Sequence, residues 1–279
     1  MKKEKKDKIN LLKIIKSKYV LKLIMDNIKE NKLLKIIKYN KNIQDKLEID
    51  INNYKDTQIQ IEIFPIAIEN KNIFINFQKK DEKYFHIYFD NQKEETKKNY
   101  FLIKKCPKKI KVIIDYKINS FNGLFKNCEC IMGINFILFK RDNLIDMSEM
   151  FYDCYSLGVL NINNFNTSNV INMKNMFYNC PRLGKLNLNS FNTKNVINME
   201  GMFWGCSAIN DLNISNFNTN KVSRIDDMFR NCYSLKNLFI NRMNAKEIIT
   251  FAKNIFYGCS KLKIIQVNEF NQYLIIKYI

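Results

Sequence analysis

The 279-residue chain has little histidine, tryptophan, proline or glycine: one His, one Trp, three Pro and seven Gly. The single histidine, His86, and the lack of any C-x-x-C pair argue against the usual zinc ligand sets. No glycine-rich phosphate loop occurs, and no carboxylates pair at a catalytic motif spacing. We therefore expect no metal site, no cofactor and no enzymatic activity.

Long hydrophobic runs are also missing. Charged residues repeatedly interrupt the apolar positions of residues 9–37, which argues against a signal-peptide core and a transmembrane helix. We therefore expect a cytoplasmic chain without a transmembrane segment. Hydrophobic residues make up 46% of the chain and charged residues 26%, which is typical of globular proteins.

The net charge of +19 is concentrated in the first part of the chain. Residues 1–120 carry 29 Lys and Arg against 16 Asp and Glu, a net charge of +13, and residues 121–279 carry 17 against 11, a net charge of +6. This excess suits nucleic acid or an anionic membrane surface. The basic residues are scattered among acids without an Arg–aromatic pattern, so a solvated surface is favoured. Binding of nucleic acid or an anionic membrane surface through residues 1–120 stays the alternative.

Six cysteines recur in the second half of the chain at steps of 26, 26, 26, 26 and 27 residues, each three positions after a phenylalanine. Such a fixed period indicates stacked copies of one supersecondary unit. A buried packing role is favoured for these thiols, and a ladder of disulfides is the alternative. The predicted structural column consists of Cys128, Cys154, Cys180, Cys206, Cys232 and Cys259.

The sequence pattern divides the chain into five segments. Residues 1–8 form a disordered basic tail, and residues 9–57 have apolar positions at helical spacing. Residues 58–112 are predicted to be a β-rich cover for the first repeat, because Gln58 to Ile63 alternates strictly and later short runs are rich in Ile, Phe and Tyr. Six 26-residue units follow in residues 113–270, before an end segment, 271–279.

Each unit combines a stretch with helical spacing of apolar residues and a stretch with the alternation of a strand. Val170, Met173, Met176 and Cys180 lie on one side of a predicted short helix, which Thr167 and Ser168 would cap. Leu183, Leu186 and Leu188 follow the pattern L-x-x-L-x-L, in which the last two are expected to face inward from a short strand.

The string from Phe165 to Cys180 and its copies resemble the BspA-like leucine-rich repeat family, whose units read F-x-T-S-x-V-x-x-M-x-x-M-F-x-x-C. The resemblance covers residues 113–270. It implies an α/β repeat fold: a curved leucine-rich-repeat solenoid with a parallel concave sheet and short convex helices, preceded by a small β segment and an N-terminal helical segment. It also implies a binding role, and bacterial members of the family are often adhesins.

A second resemblance concerns the helical segment. Tyr19 to Ile28, followed by Leu33, Leu34 and Ile37, is similar to an F-box helical pair, which implies an adaptor as a further alternative.

The favoured function is a non-enzymatic protein–protein interaction module with a protein partner bound on the concave face. Residues between the inward leucines would face that partner, and Phe239 is the first choice because exposed aromatic residues anchor interfaces. The column of amides can contact a partner, but self-pairing along the column is favoured. The candidate contacts are Phe239, Asn161, Lys185, Asn187, Asp211, Asn213 and Gln266.

Overall fold

The computed structural model describes residues 58–115, 118–139, 141–242, 255–267 and 272–274. The chain divides into two units, Met1–Thr57 and Gln58–Ile279, and the described residues belong to the second. The predicted basic tail, the helical segment and the F-box-like pattern lie outside the described residues.

The described residues contain eleven strands in three sheets and two short 3₁₀ helices, Glu82–Tyr84 and Ile103–Lys105. The strands are β1 Ile59–Pro65, β2 Lys71–Ile73, β3 Phe85–Phe89, β4 Tyr100–Leu102, β5 Ile110–Ile114, β6 Ile131–Phe139, β7 Val159–Asn161, β8 Asp211–Asn218, β9 Asn237–Arg242, β10 Ile264–Val267 and β11 Gln272–Leu274.

The first sheet has the order β3-β5-β1-β6-β7. Strand β1 alternates buried isoleucines with partly exposed polar residues because the period of side chains in a strand is two. It pairs antiparallel with β5 and with β6, and β6 pairs parallel with β7. The β-rich segment is therefore hydrogen-bonded to the strand of the first repeat, so that strand does not have a free edge.

A second sheet has the order β11-β10-β9-β8, with β8, β9 and β10 parallel and β11 antiparallel to β10. Strands β2 and β4 form a separate antiparallel pair. The sequence pattern predicts strands at the alternating run Gln58–Ile63 and at four runs rich in Ile, Phe and Tyr, which are Asn72–Phe77, Tyr84–Phe89, Tyr100–Ile103 and Ile110–Ile114. These strands are confirmed as β1 to β5, although β2 ends at Ile73.

The predicted helix of each repeat is wrong: residues 171–180 form consecutive turns. Asn175 and Asn179 have φ of 53° and 54°, in the left-handed region that a right-handed helix excludes. Thr167 does not cap a helix, since its hydroxyl donates to the Asn192 carbonyl of the next unit at 3.0 Å. Left-handed residues occur in pairs four apart: Gly123 and Asn127, Glu149 and Asp153, Asn175 and Asn179, Gly201 and Gly205, and Asp227 and Asn231.

Hydrogen bonds between units replace those of a helix. The amides of Glu149, Phe151 and Asp153 donate to carbonyls 25 residues later, at 2.8, 2.9 and 2.9 Å. Equivalent bonds follow in the next units, so the turns are joined into one stack. We call residues 121–128, 147–154, 173–180, 199–206 and 225–232 the turn side, and residues 131–139, 157–165, 183–191, 209–217 and 235–240 the strand side.

The core lies between these two sides. The phenylalanine before each cysteine stacks on its equivalents with ring centroids 5.5 to 5.6 Å apart. Each of these rings and the methionines beside them are buried, so a single unit would leave this apolar surface in water. Stacking is therefore what stabilises each unit.

The predicted fold class is also wrong. The described residues contain mixed sheets and turns, without the convex helices or the single parallel concave sheet of a leucine-rich-repeat solenoid. The physical reason is that amides which would close helical turns donate to the neighbouring unit instead. No helix among the described residues is long and apolar enough to cross a membrane.

Candidate functional site

A groove on the strand side brings together four of the seven candidate contacts. It has a volume of about 460 Å³ and contains Asn161, Lys185, Asn187 and Asp211. Ligand pockets have roughly 300–1,000 Å³, so this groove is large enough to hold part of a partner. The other lining residues are Leu160, Asn163, Gly184, Leu186 and Asn210.

The other three candidates lie outside the groove. Asn213 is exposed on β8, and Phe239 is half-buried on β9, opposite Asn213. Gln266 pairs with Phe239 in the register of β10 and β9. Phe239 is therefore less accessible than an isolated aromatic anchor.

The groove lies where the hydrogen bonding of the strand side is interrupted. The residue that precedes each strand donates to its equivalent in the previous unit: Gly158 to Met132 at 3.0 Å, Lys236 to Asn210 at 2.7 Å and Lys263 to Lys236 at 3.0 Å. No such bond joins Gly184 to Gly158 or Asn210 to Gly184. Residues 182–189 contain no strand, so the first and second sheets are separated at this unit.

Ring spacings show the same opening. The strand-side phenylalanines Phe165, Phe191 and Phe217 have centroids 6.0 and 6.3 Å apart, against 5.5 Å for the turn-side rings of the same units. The strand-side rings of these units are thus spaced less closely than their turn-side rings. Leu186, expected to face inward from a strand, is only partly buried.

Side-chain amides pair with one another in one part of this face only. Asn161 Nδ2 donates to Asn135 Oδ1 at 2.8 Å, as a self-paired column would. The Oδ1 atoms of Asn187 and Asn213 each accept the backbone amide two residues later, at 3.1 and 3.0 Å. Within the described residues, the Nδ2 groups of these two side chains have no acceptor, so both donors are open to a partner.

The groove has both signs of charge. Lys185 and Asp211 occupy equivalent positions in adjacent units, and both are exposed. Asp211 accepts a hydrogen bond from Asn237 Nδ2, and Lys185 has no ion-pair partner within the part of the chain described. Val159, at the equivalent position before them, is 70% exposed. The face therefore offers a cation, an anion and an apolar side chain in one row.

The six column cysteines are buried free thiols inside the stack. The Sγ–H groups of Cys154, Cys180 and Cys206 donate to phenylalanine carbonyls of the previous unit at 3.0 to 3.1 Å. Burial raises the pKa of the Cys206 thiol to about 12. Burial also raises the pKa values of Cys154 and Cys180, so these three thiols remain protonated at neutral pH, and protonated thiols are poor nucleophiles and poor metal ligands.

His86 lies between two carboxylates. Its Nε2 is 3.3 Å from Asp115 Oδ2, and its Nδ1 is 3.3 Å from Glu95 Oε2. The hydrogen bond to Asp115 raises the pKa of His86, although burial acts in the opposite direction. Among the described residues, no group of three or more His, Cys, Asp or Glu side chains is placed to hold a metal ion.

Sequence reasoning missed the interruption and three of the residues that line the groove there, namely Leu160, Gly184 and Leu186. One signal was present: the position before the strand is Gly in two successive units, Gly158 and Gly184, and Asn or Lys in the three units after them. Glycine is unfavourable in strands because it packs no side chain and loses more entropy on folding.

A family model described as a Mycoplasma protein of unknown function, DUF285, matches residues 145–270, within the repeats. No curated protein and no solved structure matches the chain. This match does not confirm the resemblance to BspA-like leucine-rich repeats, and the description of the matching family gives neither a fold nor a function.

Proposed function

We propose that this protein is a protein-binding module, and that it binds a partner protein at the groove around Lys185. The proposal rests on the interruption of strand pairing at one unit of the strand side. The groove there has a volume of about 460 Å³ and is lined by Asn161, Lys185, Asn187 and Asp211. Its amide donors and its separate charges suit a polar partner surface.

The groove favours a protein over nucleic acid as the partner. It carries one lysine and one aspartate, whereas nucleic-acid surfaces need clustered cations to neutralise phosphates. The charges of the groove therefore cancel, and the partner is recognised by hydrogen bonds and shape.

Photo-crosslinking tests the proposal. The full chain carries benzoylphenylalanine at position 185 in one sample and, as the matched control, at Lys194, an exposed lysine of the next unit that lies outside the groove. We expect one cross-linked protein from position 185 and none from position 194. Equal labelling from both positions would contradict the assignment of the groove.

A charge-reversal variant then tests whether the identified partner binds at the groove. The double variant Lys185→Glu with Asp211→Lys should weaken binding of the purified partner at least about tenfold, since groups at the centre of an interface dominate its affinity. Folding stability should change by less than about 0.5 kcal/mol because both side chains are exposed. Unchanged affinity would rule out the groove as the contact site.

A further inference from the structure

We propose that the β-rich segment contains a proton-controlled clamp: the positively charged form of His86 holds residues 90–98, which we call the clamp segment, against the edge of strand β3. Loss of one proton from the imidazole releases the segment. This inference is independent of the groove around Lys185 and concerns a different part of the chain.

His86 lies on β3 and has a carboxylate at each ring nitrogen. Its Nε2 is 3.3 Å from Oδ2 of Asp115, which follows β5, and its Nδ1 is 3.3 Å from Oε2 of Glu95, in the clamp segment. The imidazolium has two N–H donors, so it can donate to both carboxylates at once. The neutral ring has one donor, and its other nitrogen then turns a lone pair toward a carboxylate oxygen, which is repulsive.

The neutral ring gives up the contact with Glu95 and keeps the contact with Asp115. Asp115 is 5% exposed, and its Oδ1 accepts a hydrogen bond from Gln58 Nε2 at 3.0 Å, so it is held in place and needs its donors. Glu95 is exposed and contacts Lys97 within the clamp segment. Its carboxylate can therefore turn into water together with that cation.

Four other ionisable side chains of the described residues act on His86 or on its partners: Asp115, Glu95, Lys97 and Tyr88. The hydrogen bond to Asp115 raises the pKa of His86 above its ordinary value of about 6.5, against the effect of burial, and Glu95 raises it further. Burial raises the pKa of Tyr88, so this phenol stays neutral and does not replace the imidazolium. The clamp is therefore closed below the pKa of His86 and open above it.

The clamp segment covers a sheet edge. Strand β3 is the first strand in the order of its sheet, and the Thr96 amide donates to the Ile87 carbonyl of this strand at 2.9 Å. The ends of the segment are fixed separately, because the Asp90 amide donates to the Lys109 carbonyl at 2.7 Å and the side chain of Asn99 donates to a carbonyl before β3 at 3.1 Å. Release therefore frees the middle of the segment and uncovers the edge of β3.

Amide hydrogen exchange of the full chain, corrected for the intrinsic rate at each pH, tests the release. We expect the protection factor of the Thr96 amide to fall at least about tenfold between about pH 5.5 and about pH 8.5, on either side of the histidine titration. The amide of Asp115 donates to the Tyr84 carbonyl at 3.0 Å and serves as the internal control, with a change of less than about twofold. Equal protection of Thr96 at both pH values would overturn the clamp.

A substitution at Glu95 separates the clamp from a merely structural contact. A glutamine side chain has both a donor and an acceptor, so in Glu95→Gln it can pair with either form of the imidazole. This variant should keep Thr96 protected at both pH values, whereas Glu95→Ala should leave it weakly protected at both. Glu94→Gln changes the neighbouring exposed carboxylate and, as the matched control, should keep the pH response of the unmodified chain.

The imidazole itself gives a second readout, because the chain contains one histidine and therefore one imidazole NMR signal. The pH midpoint of this signal should fall by about half a unit or more in Glu95→Gln and stay unchanged in Glu94→Gln, since an opposite charge near a histidine raises its pKa. The clamp would be refuted by a Glu95→Gln variant that loses Thr96 protection at high pH. It would also be refuted by Thr96 protection that changes with a midpoint different from that of the imidazole.

Discussion

The turn side and the strand side of the same repeats differ in regularity. On the turn side, stacked phenylalanines keep a spacing of 5.5 to 5.6 Å across the units, and every unit donates amides to the next. On the strand side, two ladder bonds are missing at Gly184 and the sheets separate.

This difference shows which side holds the stack together. The turn side carries the buried Met, Phe and Cys side chains, so hydrophobic burial and hydrogen bonding act on the same residues there. Because those bonds already fix the distance between units, the strand side can lose pairing at one unit without separating the units. The opening is therefore available for binding.

The largest expected effect compares two apolar residues of one unit. Met176→Asp buries a carboxylate on the turn side and should destabilise the repeats by more than about 4 kcal/mol, whereas Leu186→Asp, beside the open groove, should cost about 1–2 kcal/mol. Urea unfolding followed by circular dichroism measures both. Equal losses would mean that the two sides contribute alike.

A ring deletion sharpens the same comparison. Phe177 is fully buried between rings 5.5 Å away on both sides, so Phe177→Ala should cost about 3–5 kcal/mol. The matched control Phe239→Ala removes a half-buried ring from the strand side and should cost less than half as much. A larger loss of folding stability in Phe239→Ala than in Phe177→Ala would mean that the strand side, and not the turn side, stabilises the stack.

The cysteine column is expected to contribute less per residue. Cys180→Ala removes the Sγ–H donor to the Phe151 carbonyl and leaves that carbonyl with one partner fewer, at a cost of about 1–2 kcal/mol. The exposed Cys106 provides the control, and Cys106→Ala should leave the urea midpoint unchanged. Thiol labelling of the folded protein should modify Cys106 rapidly and Cys180 only on unfolding, and rapid labelling of Cys180 would contradict its burial.

The smallest expected effect is the pH dependence that arises from His86, on β3. Its pKa is raised by Asp115 and Glu95, and Lys97 lies against Glu95 as the nearby cation. A raised folded pKa stabilises the protein fully below the unfolded value of about 6.5, and this contribution is lost as pH rises through the folded pKa. The urea midpoint should thus fall slightly as pH rises through and above neutrality, and His86→Gln should remove that slope. A slope that persists in the variant would assign it to another group.

The local patterns predicted the strands of residues 58–114 because alternation and β-branched residues report directly on a half-buried strand. They failed for the turns of the repeats. Val170, Met173 and Met176 have helical spacing, and the pairs Asn175 with Asn179 and Gly201 with Gly205 mark left-handed positions that contradict a helix. A Cβ at Gly201 would lie 2.2 Å from Asn175 Oδ1, so a larger residue there would force the Asn175 side chain of the neighbouring unit to move.

The candidate site was partly predictable. The repeat register placed Asn161, Lys185, Asn187 and Asp211 at equivalent or adjacent positions of neighbouring units, and the structure brings them into one groove. The register cannot indicate where pairing fails, because it treats all units as the same. Phe239 was ranked first from its residue type, yet it is half-buried within an intact part of the sheet.

Local spacing and composition are sufficient to predict the period of the repeats, the equivalence of residues across units and the strands of the β-rich segment. The three-dimensional arrangement of the units sets two further features: amides of the repeats bond between units instead of within helices, and one unit loses its strand pairing. Both outcomes depend on the distance between chains far apart in sequence, and hydrogen bonds form or fail according to that distance.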